Sequence, residues 1–108
     1  MRRLGLSSAV CAAVLWAAVD VGAAGPRTVV VENIDFQPRA AKITKGATVR
    51  WSFRDGATPH NVVSRGTPRF RSSPVKTRGS YEVRFRRAGT YRYVCTLHPG
   101  MAGRVVVR

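Results

Sequence analysis

Cysteine and histidine are scarce in this chain. Of 108 residues only Cys11 and Cys95 are cysteine and only His60 and His98 are histidine. Acidic residues are also few, five Asp and Glu against 19 Lys and Arg. No paired carboxylates are placed for acid–base work, no Gly-rich phosphate loop is present, and no stretch beyond residue 24 carries the 3.6-residue apolar period of an amphipathic helix. No internal repeat or low-complexity segment is seen. These absences argue against an enzyme and against an α or α/β fold.

The N-terminus reads as a targeting segment. Arg2 and Arg3 precede an apolar run from Leu4 to Val19, which ends in the small residues of Val21-Gly-Ala-Ala-Gly25. That three-part layout is expected of a secretory signal peptide over residues 1–24, cut after Ala24 or, nearly as well, after Ala23. A retained membrane anchor is the alternative; the run is short for a span and carries Asp20 near its end. Cys11 sits inside the run without a lipoprotein lead-in. The expectation is therefore a periplasmic protein with no stable membrane anchor and one domain over residues 25–108.

Removal of the leader takes Cys11 with it and excludes an internal disulfide. A small exported domain without disulfides has few other means of reinforcing a thin core, and a lone cysteine there is a free thiol, a cross-link or a metal ligand. Setting aside Arg2, Arg3 and Asp20 leaves 17 basic residues against 4 acidic ones, a net +13 over residues 25–108. Such a field attracts acidic proteins, anionic membranes and nucleic acid alike. Export and the scattering of the basic residues along the whole chain argue against nucleic acid. A solvated arginine-rich surface and an acidic protein partner both remain open on charge alone.

Period-two alternation dominates the rest. Thr28–Val31 is a β-branched run; residues 33–40 break it, with Pro38 excluding a central strand position. Short extended segments are expected at Ala41–Thr44 and Asn61–Ser64. Thr48–Phe53 alternates cleanly, with Val49, Trp51 and Phe53 on one face. Residues 54–59 and 65–79 read as loops. Tyr81, Val83 and Phe85 form one apolar face; Tyr91, Tyr93 and Cys95 form another, and Gly103–Arg108 closes the chain. Short strands with regular turn signals predict an all-β sandwich or barrel.

Within Cys95-Thr-Leu-His-Pro-Gly-Met101 a thiol, an imidazole and a thioether fall in one short loop at a strand end, and Pro99-Gly100 favours a tight bend that turns His98 and Met101 back towards Cys95. Thiolate and thioether are soft ligands and select copper over hard cations. The remaining histidine, His60, would complete a trigonal His₂Cys site with Met101 as a weak axial ligand. Taken singly, Met101 suits a core position, His98 a surface one and Cys95 a small buried hydrophobe; together their spacing points to a metal. Zinc held by His60, Cys95 and His98 is the chemical rival, although Met101 is a poor fourth ligand for it.

These motifs resemble those of the cupredoxins, small exported type I blue copper proteins, and within them the amicyanin and plastocyanin group. The likeness runs from about Val29 to Arg108. It rests on Pro59-His60-Asn61-Val62, on the pattern from Gly89-Thr-Tyr through Tyr93, Cys95 and His98 to Met101, and on the closing Gly103-Arg-Val-Val-Val107. It implies a Greek-key β-sandwich and one copper ion cycling between Cu(I) and Cu(II). His60, Cys95 and His98 would be equatorial ligands and Met101 the axial one. Asn61, with Thr96 as a second candidate, would tie the two ligand loops together by hydrogen bonds. The group often has Pro where Leu97 stands, so the Leu97 N–H is a further donor available to the thiolate, and Gly100 replaces a bulkier residue beside His98. The implied function is single-electron transfer by a monomer between protein redox partners that dock near His98. The runner-up is copper handling as a chaperone or reservoir, which the single methionine of residues 25–108 disfavours.

Overall fold

A computed structural model describes residues 25–108; the expected signal peptide, residues 1–24, lies outside the described residues. The described chain forms β1 (Arg27–Glu32), β2 (Asp35–Gln37), β3 (Ala40–Ile43), β4 (Thr48–Phe53), β5 (Val63–Arg65), β6 (Ser80–Arg84), β7 (Gly89–Val94) and β8 (Ala102–Val107), with no helix among the described residues. They build two four-stranded sheets, ordered β2-β1-β4-β6 and β3-β8-β7-β5. The expected all-β sandwich is what forms, with β1 parallel to β4 in one sheet and β3 parallel to β8 in the other.

Alternation explains the layers. Val49, Trp51 and Phe53 point inward from β4, and Val29 and Val31 do so from β1. Tyr91 and Tyr93 from β7 and Val105 and Val107 from β8 meet them from the other sheet. Trp51 stands edge-on to Tyr93 with centroids 5.4 Å apart and is stacked on Phe70 at 5.7 Å, so the long loop between β5 and β6 is pinned to the core by its aromatic residue. Gly103 lies directly opposite Tyr93, and a Cβ there would sit 2.5 Å from the phenol oxygen. Glycine is the residue that lets this ring lie flat across the neighbouring strand.

Two segments differ from the sequence expectation. Residues 33–40, expected as a break, contain a strand, β2, joined to β1 by the two-residue turn Asn33-Ile34, both at positive φ (56° and 52°). Left-handed Asn is ordinary; a β-branched residue there is strained, so the surroundings hold Ile34 in place. Of Asn61–Ser64, expected to be extended, Asn61 and Val62 precede β5, and residues 60–62 are held by other contacts. They are secured by the exchange of two main-chain hydrogen bonds between His60 and Lys76 (3.0 and 2.8 Å) and by Ser73, whose hydroxyl accepts the Val62 N–H at 2.8 Å.

Candidate metal centre

The strands bring four distant residues to one end of the sandwich. Cys95 follows directly on β7 and inherits the inward direction of Tyr91 and Tyr93, which leaves the residue 3% exposed, a buried free thiol. His60 ends the loop after β4 and is fully buried. His98 is half-buried in the loop between β7 and β8. Nδ1 of His60 lies 3.8 Å and Nδ1 of His98 3.5 Å from Cys95 Sγ, and the ligand atoms of all three residues fall within 4.8 Å of one another. Buried Met101 lines, with Cys95 and His98, a surface recess of about 350 Å³.

The last loop closes on itself. Cys95 N–H donates to the Met101 carbonyl (2.9 Å) and Met101 N–H to the His98 carbonyl (3.2 Å), while Gly100 takes φ 81°, which a side chain would resist. The two ligand loops are tied as expected. Asn61 Nδ2 donates to Thr96 Oγ1 and Thr96 N–H donates to Asn61 Oδ1, each at 2.8 Å. The Leu97 N–H, expected as a donor to the thiol, makes no such bond; among the described residues the groups within hydrogen-bond range of Sγ are the two imidazole nitrogens. Leu97 instead presents its side chain outward, 44% exposed.

One residue of the site was not singled out in the sequence. Asp55 Oδ2 accepts from His60 Nε2 at 2.8 Å and from the Ile34 N–H at 3.0 Å. A carboxylate on Nε2 fixes the tautomer that leaves the Nδ1 lone pair directed at the thiol. The His60 ring, followed by the Ile34 N–H, holds the Asp55 carboxyl below its ordinary 3.8. The signal was an Asp five residues before a candidate ligand histidine, too loose a pattern to choose without the fold. Behind the thiol, burial pushes the Tyr93 phenol up to about 12, so it stays neutral in the physiological range.

This donor set fits a soft metal. Hard cations need several oxygen ligands, and the nearby carboxylate is occupied on the far side of the His60 ring from Nδ1. For the same reason Asp55 is no fourth ligand for zinc on the Nδ1 side, and the residue left for that position is a thioether.

Residues 25–108 match the family of copper binding proteins of plastocyanin/azurin type. The chain belongs to this family of copper-binding proteins. It is similar to amicyanin-alpha of Methylorubrum extorquens strain AM1, 34% identical over 119 aligned positions that cover 99% of each chain. It is also similar to amicyanin of Paracoccus denitrificans, 35% identical over 96 positions covering 85% of this chain and 72% of that one. Among solved structures, the Cu(I) form of an amicyanin variant superposes with a TM-score of 0.72 at 33% identity, over 81% of this chain and 86% of that chain. The cofactor of the family is copper, and the soft, buried donor set described above suits that metal.

Proposed function

We propose that this protein is an exported blue copper carrier of single electrons, whose copper would be held by His60 Nδ1, Cys95 Sγ, His98 Nδ1 and the Met101 thioether. The observation that carries the reading is the convergence of two imidazole nitrogens on one buried thiol, 3.8 and 3.5 Å away, in a scaffold already closed around them. Copper bound here supplies a one-electron couple between Cu(II) and Cu(I). The protein supplies rigidity. Asp55 holds the His60 ring and the Lys76 pairing its main chain, the Asn61–Thr96 bonds fix the spacing of the two loops, and the short Cys95–Met101 loop limits movement of the other three ligands. A site held this way changes little between oxidation states, which is what fast electron exchange requires.

His98 is the ligand partly open to solvent, so we take its imidazole edge as the electron route. Leu97 at 44% exposure, with the exposed Pro59 and Pro99, rims it with apolar surface suited to a brief protein encounter. A role in passing copper on would favour an open, exchangeable site; a fully buried His60 and a 3%-exposed thiol favour retention. Residues 1–24 are read as a cleaved signal peptide that delivers a monomer to the periplasm, where its redox partners are proteins. No substrate bond is broken, and no enzymatic role is proposed.

The test is the visible and electron paramagnetic resonance spectrum after addition of Cu(II). An intense thiolate-to-copper band, bleached by a mild reductant and absent in Cys95→Ser, is the expected result. A colourless protein or a weak tetragonal signal would overturn the assignment.

A further inference from the structure

The sheet β3-β8-β7-β5 leaves a line of positive charge with nothing to offset it. Register places Arg65 opposite Arg92 and Arg92 opposite Arg104, and all three side chains are exposed. Side chains directly opposite on antiparallel strands start about 5 Å apart, so the three arginines leave the sheet from a row about 10 Å long across β5, β7 and β8. Like charges set this way destabilise a sheet. None of its four strands carries an Asp or Glu, and none of the ion pairs among the described residues, Arg39–Asp35, Arg50–Glu82 and His60–Asp55, includes an arginine of the row. Folding alone would favour a mixed row.

The row borders the metal centre. Arg65 lines the same recess as Cys95, His98 and Met101. The next step towards the site is an uncharged row, Val63 opposite Val94 and Val94 opposite Ala102. We propose that the Arg65–Arg92–Arg104 row is the docking rail for an acidic protein partner, which meets it with carboxylates spaced about 5 Å apart and is thereby held beside the copper centre. This rests on the electron-carrier reading above. Arginine suits it, because each planar fork pairs with a carboxylate through two parallel hydrogen bonds. A bilayer pressed on the same face would cover the recess and close it to electron donors and acceptors, so a protein is the occupant compatible with that function.

The experiment compares two triple variants that each remove three positive charges. Arg65→Gln/Arg92→Gln/Arg104→Gln neutralises the row; Arg27→Gln/Arg86→Gln/Arg87→Gln removes the same charge from exposed positions elsewhere. The probes are a dye-labelled helical peptide with Glu on one face at three- and four-residue spacing, and vesicles of phosphatidylglycerol, each titrated at low and high salt. The row variant should lose about tenfold or more in peptide affinity at low salt and the control less than about threefold. Replacement of the row by three lysines should lie between the row variant and the native protein. Equal losses in both triple variants would reduce the effect to net charge and overturn the proposal. So would row-dependent binding of vesicles with peptide binding unaffected, which would make the row a lipid contact. Binding is read on metal-free and copper-loaded protein alike. Row-dependent peptide binding in a protein that gives no blue colour would sustain the rail and break the electron-carrier reading; a blue protein whose peptide binding ignores the row would do the reverse.

Discussion

The two histidines point the same nitrogen at the same sulfur, yet the chain holds them in opposite ways. His60 is fully buried, its Nε2 tied to Asp55 and its main chain paired with Lys76. Asp55 is itself held by a strained turn in another hairpin, through the Ile34 N–H. His98 is half-exposed and positioned chiefly by the closure of its own short loop between Cys95 and Met101. One ligand is set by the body of the protein, the other by seven consecutive residues. The difference separates two requirements of an electron carrier. Rigidity is supplied from the buried side, and access from the side that faces solvent.

The sharpest way to break this comparison is to remove each ring in turn. His98→Gly should lose the blue spectrum and regain it when free imidazole enters from solvent. His60→Gly should lose it without rescue, because that cavity is sealed. Equal rescue in visible titrations would refute the asymmetry. Next in size, Asp55→Ala frees the His60 ring and should weaken copper binding by about 10- to 100-fold, measured by competition with a chelator. Asn61→Ala unties the two loops and should cost about 1–3 kcal/mol of stability in denaturant unfolding of the metal-free protein, since it removes two hydrogen bonds to Thr96 worth about 0.5–1.5 kcal/mol each.

The smallest effect concerns pH. Asp55 has a folded-state value below its ordinary 3.8. Its stabilising contribution is therefore complete above that ordinary value and is lost as pH falls through the lower, folded one. The difference in Tm between the metal-free protein and Asp55→Asn should stay constant from neutral pH to about 5 and shrink as pH falls below the ordinary 3.8. A difference that grows on acidification would contradict the sign.

Legibility followed the range of the interaction. Thr48–Phe53 was readable as a strand because its alternation is a property of six adjacent residues, and the structure buries Val49, Trp51 and Phe53 as that pattern requires. The Asn61–Thr96 tie was legible only through resemblance, since the partners are 35 residues apart. Strand β2 was missed because its turn sets Ile34 in a left-handed conformation against its own preference, and the cause of that conformation is not local. Asp55 was read as a loop residue for the same reason. Its role exists only once three separate segments meet at its Oδ2 and His60. Leu97 was legible as a free N–H; that this N–H makes no bond to the sulfur depends on the path of the loop and was not.

By itself the sequence determined the chemistry on offer. One thiol, two imidazoles and one thioether in residues 25–108, with few carboxylates, admit a soft metal and little else, and the alternating apolar runs admit a β-sandwich. These follow from residue identity and short-range spacing. The tertiary structure decided which imidazole is sealed and which is open, which carboxylate orients a ligand, and which arginines of a basic chain stand side by side. Those depend on strand register and on loop contacts between residues dozens of positions apart. Composition and local period do not specify them: a register shift of one residue would turn the strand arginines to the opposite face, and the loop residues meet only when the strands that carry their loops do.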